Sequence, residues 1–129
     1  MSGSWRELAL KYYEKAKVLK RELFIDFEHG AYNKAISGAY FMVEALANAI
    51  FALKKQKTRG FSGRANLIRE LFGVKMYKNF LKLHELREKA DHRERIFTKQ
   101  DAKEAVDISL KMFEVLETVF HQLMTRRIK

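Results

Sequence analysis

Arg87, Asp91 and His92 fall within one stretch of six residues, Arg87-Glu88-Lys89-Ala90-Asp91-His92, and the run Arg93-Glu94-Arg95 follows at once. An arginine beside an imidazole suits phosphodiester chemistry. The planar guanidinium fork can stabilise charge growing on phosphoryl oxygens. The imidazole can move a proton near neutral pH. Spacing sets a condition on this pairing. On a continuous helix, five residues rotate by about 500°, which leaves Arg87 and His92 about 140° apart. The two converge only if the helix ends or distorts near Asp91. The plainer reading is an ion pair between Arg87 and Asp91 at i and i+4, with an exposed histidine beyond it.

The rest of the chain reads as helices that would hold this stretch. Ser4–Glu28 repeats apolar residues at steps of three and four, from Trp5 through Tyr12 and Leu19 to Phe27, and His29-Gly30 is a stop signal. Ala31–Lys55 is apolar on most sides, as expected of a helix inside a bundle. Its polar residues Ser37, Tyr40, Glu44 and Asn48 are spaced by three, four and four, so they form one stripe. That stripe either faces solvent or internal partners, or faces the Arg87 site, with Glu44 orienting a cation. Lys55–Gly63 reads as a basic, Gly-containing loop, and Arg64–Phe72 as a short helix ended by Gly73. Lys75–Asp91 follows, with Met76, Phe80, Leu83, Leu86 and Ala90 as its inward stripe. His84, three before Arg87, can share its face and reads as a solvated or hydrogen-bonded residue. Thr98 to Asp101 resembles a capping box, with Asp in place of Glu or Gln. A last amphipathic helix then runs to about Arg126. The expected fold is all-α: an up-and-down bundle of four long helices plus a short one, in a single domain over residues 1–129.

Charge is unevenly placed. The chain carries a net charge of +10, and residues 54–99 alone hold 14 basic against 5 acidic side chains. RNA or DNA is a natural partner for such a surface, and a solvated face is the plain alternative. Arg59, Arg64, Lys89, Arg93 and Arg95 are the candidate backbone contacts. Ala35–Leu53 approaches membrane-spanning length but carries Glu44 near its centre, which would cost roughly 2.5–3.5 kcal/mol on insertion, so a core helix is expected. Met1–Arg6 shows no leader pattern. The absence of cysteine rules out disulfides and thiolate metal sites and fits a reducing, cytoplasmic compartment. No His-Glu-x-x-His or paired acidic cluster with metal-ligand spacing occurs, and no dinucleotide or phosphate-loop fingerprint is present, so no metal or cofactor is expected.

Three blocks resemble the HEPN family of small all-helical prokaryotic domains. They are His29 to Leu46, the Gly/Ser-containing segment Phe61–Phe72, and Arg87 to His92 before the last long helix. The resemblance implies a helical bundle that dimerises and brings two Arg/His motifs to one cleft. It also implies metal-independent ribonuclease activity in members that are active, often as toxins. Some members are neutralised by a nucleotidyltransferase partner that modifies a tyrosine shortly after the motif histidine; no tyrosine lies downstream of His92 here. Many similar sequences carry Ala-Asp-Tyr where this chain has Ala90-Asp91-His92, so the resemblance leaves open a second branch, in which the histidine is a substitution within a non-catalytic binding partner. Two functions are compatible with these residues. In the first, His92 takes the 2′-hydroxyl proton, Arg87 stabilises the pentacoordinate phosphorus, and Asp91 or Glu44 orients one of them. In the second, the domain is a non-catalytic module binding nucleotide, nucleic acid or a nucleotidyltransferase-like protein.

Overall fold

The computed structural model describes residues 2–92 and 95–128. Its elements are five helices: α1 (Ser2–Glu28), α2 (Tyr32–Leu53), α3 (Gly60–Phe72), α4 (Val74–Asp91) and α5 (Lys99–Ile128). No strand forms among the described residues. The architecture is the expected all-α bundle.

α2 is the centre. Fourteen of its 22 residues are buried, and it packs against α1, α4 and α5, whereas α3 packs on α4. Sequence explains this placement. Ala35, Ala39, Ala45, Ala47, Ala49 and Ala52 keep the helix thin, so three neighbours can approach it closely. Ile36, Met42, Val43, Leu46 and Ile50 fill the spaces between. α2 is long and apolar enough to cross a membrane by length and composition, but 72% of its most apolar window is buried by the other helices.

The α1–α2 turn closes by a specific device. Gly30 N–H donates to Phe27 O at 3.2 Å and Ala31 N–H to Asp26 O at 2.8 Å. This is the paired closure of a helix whose next residue is left-handed, and Gly30 takes that role at φ +77°. The end of α2 repeats the pattern. Lys55 N–H donates to Ala52 O at 3.0 Å and Gln56 N–H to Phe51 O at 2.8 Å. Here the left-handed position is held by Lys55, at φ +56°, a conformation that strains a side-chain-bearing residue.

The sequence places the short helix at Arg64–Phe72, whereas α3 starts at Gly60. Gly60 and Gly63 lower helix propensity and make the segment read as loop. Tertiary packing overrides them: Phe61 stacks on Phe80 of α4, ring centroids 5.3 Å apart. The basic loop therefore shortens to the residues just before α3. The start of α5 matches expectation. Asp101 N–H donates to Thr98 Oγ1 at 3.2 Å, and Thr98 N–H donates back to Asp101 Oδ2 at 3.1 Å, the reciprocal pattern of a capping box. Far from this end, Tyr13 fastens α1 to α5, donating to Glu117 Oε2 at 2.7 Å and stacking on Phe120. Burial and the Glu117 hydrogen bond push the Tyr13 phenol up to about 12.

Candidate functional site

The last two turns of α4 carry the candidate residues, and α2 lies beneath them. Arg87 is held on three sides. Its Nε lies 3.0 Å from Asp91 Oδ2, an ion-pair distance, although the N–H is not aimed for a hydrogen bond. Its guanidinium lies over the Phe41 ring at 4.9 Å and near the Tyr40 ring at 6.0 Å. The side chain stays 29% exposed, and its terminal Nη groups have no hydrogen-bond partner among the described residues. Such a fork, stacked and oriented but unspent, suits a bidentate anion.

Asp91 is held in turn. Ser37 Oγ of α2 donates to its Oδ1, while its Oδ2 faces Arg87. Ser37, Asp91 and Arg87 therefore form one chain from the central helix to the guanidinium. A cleft of about 750 Å³ opens beside it, lined by Leu19, Asp26, Asn33, Phe41 and Ile96 among others.

The α2 stripe divides. Tyr40 hydroxyl donates to Glu44 Oε2 at 2.5 Å. Burial, then this hydrogen bond, raises the Tyr40 phenol well above its ordinary range, so it is a fixed donor and not a base. Glu44 meets a cation, but that cation is Arg64 of α3, with Nη2 to Oε2 3.0 Å. Asn48 lines a separate hollow with Trp5, Tyr12 and Phe51. Two of the four stripe residues thus touch the Arg87 group: Ser37 through Asp91, and Tyr40 through its ring.

His92 follows α4 as its C-terminal cap. Its backbone is still helical (φ −85°, ψ 0°), and its N–H donates to Glu88 O at 3.0 Å. The helical phase therefore runs through His92, which leaves it about 140° around the axis from Arg87. Its side chain is exposed. Within one chain, the helix does not break early enough to turn the two residues together.

The other expected backbone contacts are spread out. Arg59 is exposed. Arg64 is spent on Glu44. Lys89 pairs with Glu85 at 3.0 Å. Arg95 pairs with Asp101 at 2.9 Å and lies on the Phe97 ring. Arg93 lies outside the described residues. At about 100° per residue, Lys75, Lys78, Lys82 and Lys89 cluster on the side of α4 opposite His84, Arg87 and Asp91. The positive charge of this segment is thus shared between two faces.

Three residues matter more than sequence reasoning assigned. Asn33 Nδ2 donates to Ala90 O at 3.3 Å and to Arg95 O at 3.0 Å, and its Oδ1 accepts from Phe97 N–H at 2.9 Å. It clamps the backbone on both sides of the segment after Asp91. A lone Asn opening an apolar helix gives little hint of that. Phe61 and His84 stack with centroids 3.7 Å apart, and the His84 ring also packs edge-on against Tyr40 at 5.3 Å. The signal for His84 was its three-residue spacing from Arg87.

The arrangement defines a class: an all-helical domain with an oriented arginine and a histidine at the end of the fourth helix. The model of the HEPN domain family matches residues 3–119, and the chain belongs to that family. A search of curated proteins finds no match.

Proposed function

We propose that this HEPN domain is a metal-independent endoribonuclease working through Arg87 and His92. The observation that carries the reading is the state of Arg87: held by Asp91 and Phe41, with its terminal nitrogens free of a hydrogen-bond partner among the described residues. That fork receives two non-bridging phosphoryl oxygens and stabilises the charge of the pentacoordinate phosphorus. His92 takes the proton from the ribose 2′-hydroxyl. The attacking oxygen closes a 2′,3′-cyclic phosphate, and the 5′-oxygen departs. Because His92 sits about 140° around α4 from the Arg87 of its own chain, the reacting pair comes from two copies: Arg87 of one and His92 of the other. A homodimer is part of the proposal, as is a role as the toxin of a toxin–antitoxin pair. Asp91 and Ser37 position Arg87, and exposed cations such as Arg59 hold the RNA backbone.

The test is complementation in EDTA. Arg87→Ala and His92→Ala homodimers are each expected to lose RNA cleavage. Co-expressed as mixed dimers, they are expected to regain part of it, because one composite site is intact. No recovery in a demonstrated heterodimer would contradict the composite site.

A second reading has its own support. The exposure of His92 and its turn away from Arg87 suit a non-catalytic module that binds nucleotide, nucleic acid or a nucleotidyltransferase-like protein through Arg87. A folded sample that binds RNA or a partner protein, with binding lost in Arg87→Ala and no cleavage, would favour it.

A further inference from the structure

The proposed cleavage leaves one proton unassigned. His92 accepts the proton of the 2′-hydroxyl, but the 5′-oxygen must gain a proton as its bond to phosphorus breaks. A second acid near Arg87 is needed, and α4 carries one imidazole on the right face. His84 lies one turn before Arg87. At about 100° per residue the two are about 60° apart around the helix, against about 140° for His92. Both touch the same ring: His84 lies edge-on to Tyr40 at 5.3 Å, and the Arg87 guanidinium is 6.0 Å from it.

The fold also packs the His84 imidazole on several sides. Phe61 covers one face of its ring, with centroids 3.7 Å apart and planes within 19°. Its Nε2 lies 3.3 Å from Glu88 Oε1, one turn further along α4. Its Nδ1 has no hydrogen-bond partner among the described residues, and the side chain remains 21% exposed. A carboxylate on one ring nitrogen fixes the ring's orientation and leaves the other nitrogen as the working donor. His92, by contrast, has no such support among the described residues: its side chain is exposed at a helix cap.

Building on the ribonuclease reading, we propose that His84, held by Glu88 and Phe61, is the general acid that protonates the departing 5′-oxygen. The 2′-oxygen–phosphorus bond forms as the phosphorus–5′-oxygen bond breaks. His92 gains the 2′-hydroxyl proton, and protonated His84 gives one to the 5′-oxygen through Nδ1. The products are a 2′,3′-cyclic phosphate and a 5′-hydroxyl. No electrons change hands, and both imidazoles return to their starting states by exchange with water. Glu88 and Phe61 are positioning residues in this scheme.

The experiment uses two RNA substrates. One is ordinary; the other carries sulfur in place of the 5′-bridging oxygen, a leaving group that departs without a proton. The full-length parent, His84→Gln, His84→Phe and His92→Ala are compared in EDTA, each checked for helical content. His84→Phe keeps a ring against Phe61 and guards against loss of packing. Both His84 variants are expected to lose about 10²–10⁴-fold on ordinary RNA and to approach the parental rate on the sulfur substrate. His92→Ala is expected to stay slow on both. Either of two results overturns the assignment while leaving the ribonuclease reading in place: parental cleavage of ordinary RNA by the His84 variants, or an equal loss on both substrates. A parent that cleaves neither substrate overturns the ribonuclease reading, and His84 falls with it.

Discussion

Ser37 on the central helix donates its hydroxyl proton to Asp91 at the last turn of α4, and the second oxygen of the same carboxylate faces Arg87. Each oxygen of Asp91 thus has one task. The guanidinium is oriented from the bundle's most buried helix and not only from its own exposed turn.

Ser37→Ala should keep the fold and loosen Arg87. Cleavage is expected to fall roughly tenfold through kcat, since small displacements of a positioned group are costly. Single-turnover kinetics check this. An unchanged rate would show that Asp91 needs no support from α2.

Asn33→Ala should act on stability first. It removes three hydrogen bonds and leaves the Phe97 N–H without its acceptor. A loss of about 2 kcal/mol is expected, read as a lower urea midpoint with an unchanged slope.

Lys55→Gly should stabilise the protein. The residue sits at φ +56°, where glycine carries no side-chain penalty but has more backbone freedom to lose on folding. The net gain is expected to be about 0.5 kcal/mol, visible as a higher midpoint in thermal or urea unfolding.

Asp101 makes stability depend on acid. Its hydrogen bonds with Thr98, then the one from Arg95, hold its carboxyl below the ordinary range. A group depressed in the folded state stabilises it above the unfolded-state pKa, and that contribution fades as pH falls through the folded value. Asp101→Asn should therefore be less stable than the parent at neutral pH, with the gap narrowing below about pH 4. Melting curves between neutral and acidic pH decide it.

The sequence showed helix number, order and most ends clearly, because apolar residues repeat at steps of three and four and Gly30 and Gly73 mark stops. It misplaced the start of α3. Glycines at 60 and 63 speak for a loop locally, while the packing of Phe61 on Phe80 and His84 comes from residues distant in sequence. The pairing of Arg87 with Asp91 was legible from i,i+4 spacing. The partners Ser37 and Asn33 were harder to assign, because tertiary docking alone brings α2 against the end of α4. Glu44 illustrates the limit: a half-buried carboxylate demands a cation, but spacing cannot say that the cation is Arg64 and not Arg87.

The most direct measurement is the chemistry of the product ends. An RNA and its all-2′-deoxy counterpart are incubated in EDTA with the parent and with His92→Ala, and the ends are mapped. The parent is expected to cleave the RNA to 2′,3′-cyclic phosphate and 5′-hydroxyl ends and to leave the deoxy strand intact, and His92→Ala is expected to cleave neither. Folded parent that leaves the RNA intact, or cleavage that yields 5′-phosphate ends or persists in His92→Ala, would contradict it.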